Sequence, residues 1–180
     1  MRSLKILAWI SGSIVLLAIV SAGLYFFFMA SETDIEAKPT LAVKEDTNPK
    51  GESFIQVIET EETDLAEEFP MDMPEFDIQE AIHGMTHQKI IAEDKWGFIP
   101  LTEQRVQRLA AVVEKNIAKY ENAELYQNIL NKWAKYDFLT VDEDHNSIWE
   151  LQGGTIGEAT GILSAEEEKK FIKEHYDIDE

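Results

Sequence analysis

The chain has 180 residues and a formal net charge of -19, with 35 acidic residues against 16 lysines and arginines. This charge excludes nucleic acid as a partner, because proteins that bind nucleic acids present positive charge to the phosphates. The lack of cysteine excludes disulfides and thiolate metal sites, whereas a 44% hydrophobic and 10% aromatic composition excludes disorder along the whole chain.

The first candidate element is a hydrophobic segment over residues 6–30. About 20 apolar residues in a helix cross a hydrocarbon core of roughly 30 Å, so the segment is long enough for a transmembrane anchor. Arg2 and Lys5 precede it, and positive flanks stay in the cytoplasm. We therefore expect a single-pass protein of the cell membrane, with residues 1–5 cytoplasmic and the rest extracytoplasmic. A signal peptide cleaved near Ala22 is the alternative, although cleavage there would expose an apolar terminus.

Residues 31–74 have the composition of an acidic flexible linker. They contain four of the five prolines, and acidic residues cluster between Glu59 and Glu68. Like charges extend and hydrate such a segment, so a stalk is expected. Residues 54–58 are the exception, because their composition is typical of a strand that could dock on the folded domain.

Beyond the linker the sequence turns helical. A first helix is predicted from Pro74 to about Glu93, because Ile78, Ile82 and Met85 recur at helical spacing. This helix is expected to end before a turn that contains Trp96 and Gly97.

Two further helices are expected to pack as an antiparallel pair. Thr102 is a good N-cap for the second helix, which is predicted to end near Glu121, with Arg105 lying away from its apolar stripe. That stripe consists of Val106, Leu109, Val113 and Ile117. A third helix is predicted from about Ala123 to Tyr136. Its apolar residues are Tyr126, Ile129, Leu130 and Trp133.

Residues 138–163 break the helical pattern and indicate a Gly-rich loop or a short β-hairpin. The glycines of this segment are Gly153, Gly154, Gly157 and Gly161. Glycine tolerates positive φ and would let the backbone cross tightly under Trp149. Ser164 followed by Glu167 predicts a capping box that starts a last helix, ending near His175.

Candidate metal ligands lie in two of these segments. His83 and His87 are four residues apart on the first predicted helix, a spacing that places two imidazoles on one face. Asp144 and His145 could complete a divalent metal site, since a zinc-type site needs three or four ligands. Hydrogen-bonded histidines without a metal are the alternative. Gly84 stands where a metalloprotease H-E-x-x-H motif has glutamate, so no catalytic residue is assigned.

A calcium loop is a second way to interpret the acidic turn. Asp142, Asp144 and Asn146 alternate as oxygen ligands do in such loops. Ser147 and Gly153 stand where the calcium loop has its glycine and its bidentate glutamate. A solvated turn is therefore the better interpretation.

Five strings of residues carry a resemblance to a known family. They are Met85-Thr-His-Gln-Lys89, Lys95-Trp-Gly97, Asp144-His-Asn146, Gln152-Gly-Gly-Thr-Ile-Gly157 and Ala159-x-Gly-x-Leu-Ser-x-Glu-Glu167. With them the chain resembles an uncharacterised family, a domain of unknown function in single-pass membrane-anchored proteins of Gram-positive, spore-forming bacteria. The resemblance implies the same anchored topology and supplies no activity, substrate or ligand.

The sequence thus predicts a transmembrane anchor, an acidic linker and a mainly α-helical extracytoplasmic domain over residues 75–180. Its function is expected to be a noncatalytic interaction with another envelope or membrane protein. The candidate interaction surface consists of Trp96, Asn146, Trp149, Gln152, Gly153 and Gly154. The alternative is a metal-binding sensor or metal-dependent enzyme that uses His83, His87 and His145. No cofactor besides a divalent metal is expected.

Overall fold

Residues 41–178 are described by a computed structural model, which contains six helices and two small antiparallel sheets. The helices are α1 (Leu65–Glu68), α2 (Glu75–Thr86), α3 (Glu103–Lys115), α4 (Ala123–Trp133), α5 (Val141–Leu151) and α6 (Ala165–His175). The strands are β1 (Leu41–Thr47), β2 (Ser53–Glu59), β3 (Ile90–Ile91) and β4 (Gly161–Ile162). The mainly helical fold class is confirmed.

The predicted anchor over residues 6–30 lies outside the described residues. Between residues 41 and 178, no helix is both long and apolar enough to cross a membrane. The longest helix of that part, α3, has 13 residues, whereas a membrane span needs about 20. The anchor therefore stays a prediction from the sequence.

A β-hairpin occupies residues 41–59, where the sequence analysis expected a flexible linker. Leu41 pairs with Glu59, and Gly51 takes a φ of 86° in the turn between the strands. The buried face of the hairpin packs on α6 through Leu41, Ile55, Val57 and Ile172. Ile55 and Val57 are two residues apart in β2, and Leu41 pairs with Glu59, two residues further on, so all three side chains lie on one face of the hairpin. The linker prediction is corrected here, and the strand predicted at residues 54–58 is present.

The segment between the hairpin and α2 is folded as well. The Asp64 side chain caps α1 by accepting hydrogen bonds from the backbone N–H groups of Ala66 and Glu67. Phe69 and Met73 are buried in the main hydrophobic core. A linker of acidic composition can still be ordered when a few apolar residues anchor it, because burial of each large side chain contributes about 1.5–3 kcal/mol.

Arg105 of α3 connects the hairpin and α1 to the helical core. Its side chain is only 3% exposed, although the sequence analysis placed it away from the buried stripe. The Nε and Nη2 groups donate to the two carboxylate oxygens of Glu68, each at 3.1 Å. The Nη1 group forms an ion pair with the buried carboxylate of Glu59, without a well-aligned hydrogen bond. Burial lowers the pKa of Arg105 to about 10, so the guanidinium keeps its charge at pH 7.

The first two long helices are shorter than predicted. α2 ends at Thr86 rather than near Glu93, because the chain then enters β3, which pairs with β4. Thr102 caps α3 as predicted, its side chain accepting from the backbone N–H of Arg105. Because α3 ends at Lys115, the apolar side chain of Ile117 is 53% exposed and does not continue the buried stripe.

The third predicted helix is α4, and it packs against α3. All four of its predicted apolar residues are buried: Tyr126, Ile129, Leu130 and Trp133. The helix ends at Trp133, and Tyr136 follows with a positive φ of 55°. Tyr136 stacks on Phe54 of the hairpin with ring centroids 4.6 Å apart, so this turn also holds β2 in place.

Residues 141–151 form α5, where the sequence analysis expected a loop or a hairpin. Its buried residues, Val141, Asp144, His145 and Ile148, recur at helical spacing. The acidic residues of its first turn are favoured there by the helix dipole. The segment from Asp142 to Asn146 is therefore helical and does not form a calcium loop. A loop with the predicted glycines follows α5, and β4 pairs with the distant β3 rather than within a local hairpin.

The last helix agrees with the sequence analysis. The Ser164 side chain accepts from the backbone N–H of Glu167, and the Glu167 carboxylate accepts from the backbone N–H of Ser164 at 2.9 Å. The predicted capping box and the predicted end at His175 are both confirmed. Ile172 of this helix is fully buried against the hairpin.

Candidate metal centre

Three histidines from two packed helices lie together. His83 belongs to α2, His87 is the C-cap of α2, and His145 belongs to α5. The ring centroids are 4.8 Å apart for His83 and His87, 4.4 Å for His83 and His145, and 5.5 Å for His87 and His145. One ring nitrogen of each lies within 4.8 Å of the others. The spacing of four residues predicted the first pair, and the packing of α5 on α2 supplies the third ring.

The orientation of His83 is set by a chain of two hydrogen bonds. The side-chain amide of Gln152 donates through Nε2 to Glu80 at 2.5 Å. Its Oε1 therefore faces His83 and accepts from Nδ1–H, at 2.6 Å. This arrangement protonates Nδ1 and leaves the lone pair on Nε2 of His83. Burial lowers the pKa of His83, although the bond to Gln152 and the charge of Glu80 oppose the shift.

His87 is held by a backbone carbonyl. Its Nδ1–H donates to the Gly97 oxygen at 2.6 Å, in a turn where Gly97 has a φ of 77°. The lone pair of this ring is again on Nε2. Burial, together with the nearby His83 and Lys95, lowers the pKa of His87 to about 4, so the imidazole is neutral at pH 7.

His145 is fully buried and engages both of its ring nitrogens. Nε2 donates to the carbonyl oxygen of Gly157 at 3.0 Å, and Nδ1 lies 2.8 Å from the hydroxyl oxygen of Thr86. Burial lowers the pKa of His145 to about 3, and the neighbouring His83 adds to the shift. All three rings are thus neutral at pH 7, the form in which imidazole binds metal ions.

Asp144 does not join the histidines, although the sequence analysis included it among the ligands. Its carboxylate accepts from Lys132 Nζ at 2.5 Å and from Trp133 Nε1 at 3.0 Å, both on α4. Burial raises its pKa, whereas the contacts with Lys132 and Trp133 oppose the shift. Neighbouring residues on a helix point about 100° apart, so Asp144 and His145 face different helices.

Most of the predicted interaction surface serves the fold of the Gly-rich loop. Asn146 accepts from the Ala159 N–H at 2.8 Å and donates to the Ala159 oxygen at 3.0 Å. Trp149 donates to the Ile156 oxygen at 2.8 Å and lies so close to Gly154 that an added Cβ would be 2.2 Å from its ring. The predicted tight crossing under Trp149 is therefore present.

The remaining residues of that surface have separate roles. Gln152 orients His83, and Gly153 takes a φ of 70° directly after the C-cap of α5. Trp96 is 66% exposed and contributes a large apolar side chain to the surface.

Sequence reasoning missed the residues that hold the three imidazoles. They are Glu80, Thr86, Gly97 and Gly157. Two of them act through backbone carbonyls, which any residue type provides, so no side-chain pattern could identify them. Glu80 is three residues before His83, a spacing that was visible, but its partner Gln152 is distant in sequence.

The arrangement offers nitrogen ligands of the kind that transition-metal ions prefer. Histidine ligands in metal sites commonly donate their second N–H to a carbonyl or carboxylate, which fixes the tautomer. Neutral nitrogen ligands suit Zn²⁺, Co²⁺, Ni²⁺ and Cu²⁺ better than Mg²⁺ or Ca²⁺, which prefer oxygen. Among residues 41–178, the three histidines are the group whose ligand atoms lie close enough together to hold a metal ion. Three protein ligands leave a coordination position for a further ligand.

Comparison with protein families gives a match for part of the chain. Residues 82–173, just over half of the chain, match a family described as a family of unknown function, DUF6241. The matched range contains all three histidines. No curated protein and no solved structure matches the chain.

Proposed function

The chain belongs to the DUF6241 family, whose function is unknown, and we propose that it binds a divalent transition-metal ion through His83, His87 and His145. The observation that carries this proposal is the convergence of one nitrogen from each ring within 4.8 Å. The tautomers support it, because His83 and His87 direct their N–H groups to carbonyl oxygens and keep a free lone pair. The proposed ion belongs to the zinc class, since all three ligands are neutral nitrogens.

We place this domain outside the cytoplasm of a Gram-positive, spore-forming bacterium, held to the cell membrane by residues 6–30. The proposal is supported by the uncharged length of that segment, its positive N-terminal flank and the family resemblance of the five strings. Residues 31–40 would then connect the anchor to the folded domain.

In this proposal the domain is a noncatalytic interaction module whose partner is another envelope or membrane protein. Two exposed apolar side chains lie next to backbone carbonyls that hold the histidines. Their position favours coupling between metal binding and partner binding. Trp96 is 66% exposed and directly precedes Gly97, the acceptor for His87. Ile156 is 53% exposed and directly precedes Gly157, the acceptor for His145. A movement of His87 or His145 would therefore be passed to an exposed apolar side chain through a single peptide unit.

Metal binding is tested with the purified full-length chain in detergent micelles. After incubation with zinc chloride and removal of excess metal, we expect one zinc ion per chain and a lower Tm in EDTA, because a ligand of the folded state stabilises it. The double variant His83→Ala, His87→Ala should bind zinc more than about 100-fold more weakly, since changes outside the ligand set alone cost 10–100-fold.

The matched control for this experiment is His175→Ala. His175 lies on α6 and stacks on Phe171, outside the metal-binding group. This variant should bind zinc as the unchanged protein does. A wild-type chain that holds no zinc and has the same Tm in EDTA would show that the histidines are structural.

Location and partner are tested together by proximity labelling in the native host, with the labelling enzyme fused after Glu180. We expect labelled proteins of the cell envelope, including one whose labelling falls several-fold in Trp96→Ala. Phe76→Ala is the control, because Phe76 is similarly exposed, at 59%, but does not precede a glycine that holds a histidine. Labelling of cytosolic proteins alone would contradict the proposed location, and a pattern unchanged by Trp96→Ala would contradict the proposed surface.

A further inference from the structure

The hydrogen bonds of His145 differ from those of the other two histidines. A carbonyl oxygen can only accept, so the bond to Gly157 requires the proton of His145 to be on Nε2. A neutral ring then has its lone pair on Nδ1, and this nitrogen faces the Thr86 hydroxyl at 2.8 Å. The nitrogen of His145 that is able to bind a metal is therefore already hydrogen-bonded.

The Thr86 hydroxyl has one proton and two acceptors within reach. Its oxygen lies 2.8 Å from Nδ1 of His145 and 2.6 Å from the backbone oxygen of His83, one turn earlier in α2. The proton can be donated to only one of them along a straight bond. The Thr86 oxygen also occupies the space beside Nδ1 in which a metal ion would bind, since a Zn–N bond is only about 2.0–2.1 Å long. Thr86 is fully buried, so water does not compete for this proton.

We infer that Thr86 is a positioning residue that controls whether Nδ1 of His145 is available to a metal ion. This role of Thr86 rests on the proposed function and adds to it a control of the affinity for metal. Without metal, the hydroxyl donates to Nδ1 and holds the ring; when a metal ion binds Nδ1, the ring and the Thr86 side chain move apart and the hydroxyl donates to the His83 carbonyl alone. The Nε2–H group of His145 keeps its bond to Gly157 throughout.

The three ligands are consequently not equivalent. His83 and His87 present free Nε2 lone pairs, whereas His145 joins only when its bond to Thr86 is given up. Competition of this kind lowers the affinity of the site for metal. A lowered affinity suits a module that releases its ion as the metal concentration outside the cell changes.

The test is a zinc titration of the full-length chain in micelles, with zinc chloride and a competing chelator. Thr86→Ala removes both the competing donor and the oxygen beside Nδ1, so zinc should bind about two- to tenfold more tightly, the equivalent of one ordinary hydrogen bond. Thr86→Ser keeps the hydroxyl and should bind zinc as the wild type does. Thr155→Ala, at an exposed position of the Gly-rich loop, is the surface control.

Nitrogen NMR of the histidine rings in the wild-type chain gives a second measurement that needs no variant. We expect His145 to be protonated on Nε2, with its Nδ1 resonance shifting when zinc is added. A zinc-dependent shift at Nε2 instead, or equal or weaker zinc binding by Thr86→Ala, would overturn the role of Thr86 and leave metal binding in place. Failure of the wild-type chain to bind zinc would overturn the proposed function and this inference together.

Discussion

Replacement of Arg105 by methionine is expected to lower the free energy of unfolding by about 3–5 kcal/mol, the usual cost of removing one partner of a buried ion pair. The Arg105 side chain is 3% exposed and that of Glu59 is 4% exposed, so the variant leaves a carboxylate buried without its countercharge. Glu68 loses two hydrogen bonds as well. Urea unfolding followed by tryptophan fluorescence measures the loss.

Arg108→Met is the matched control for this variant. Arg108 lies one turn later on α3, is half-buried and donates to a neutral acceptor, the backbone oxygen of Phe69, at 2.8 Å. Its replacement should cost about 1 kcal/mol, the typical contribution of a single hydrogen bond. Adding Glu59→Gln to Arg105→Met should restore part of the loss, because the buried charge is removed. Equal losses for the two arginine variants would mean that the ion pair does not hold the hairpin.

The second large effect is expected for Gly157→Ala, which should destabilise the fold by about 2–5 kcal/mol. Gly157 has a φ of 92°, which L side chains rarely adopt, and an added Cβ would lie 2.8 Å from the backbone oxygen of Asp94. Backbone strain and steric overlap therefore add together. The same variant would displace the carbonyl that accepts from His145, so zinc affinity should fall with stability.

Alanine substitutions at two neighbouring glycines separate the cost of backbone strain from the cost of steric overlap. Gly153 has a φ of 70° with no atom within 4 Å of an added Cβ, so Gly153→Ala has only the backbone cost, about 1–2 kcal/mol. At Gly154 the overlap is with the Trp149 ring, a side chain that can move. Thermal or urea unfolding of the three alanine variants should rank Gly157 as the most sensitive. A Gly157→Ala variant no less stable than Gly153→Ala would exclude a role for the contact with Asp94.

Several elements could be predicted because their signals are local. The capping box of Ser164 and Glu167 depends on hydrogen bonds between residues three apart, and the apolar stripe of α4 depends on one helical period. The pairing of His83 with His87 is local in the same sense, since any helix brings residues four apart together. The glycine run predicted a tight backbone crossing under Trp149, and Gly154 is the residue that provides it.

Other elements were predicted wrongly because composition outweighed periodicity. The hairpin places apolar residues two apart, as at Ile55 and Val57, but its acidic surroundings indicated a linker. In α5, three acidic residues in the first turn indicated a loop, although they are favoured there by the helix dipole. Arg105 was predicted to lie away from the apolar stripe because of its position on the helix, and Glu59, the partner of the buried guanidinium, is 46 residues earlier in the sequence.

The sequence by itself determined the hydrophobic segment, the acidic charge, the helical character of the domain and the first two histidines. All of these depend on residue types or on spacing within one element. Only the tertiary structure decided that His145 joins them while Asp144 faces away, and that Gln152, Gly97, Gly157 and Thr86 set the three tautomers. These contacts join residues far apart in sequence, and several run through backbone carbonyls, so they arise only when packing brings the segments together.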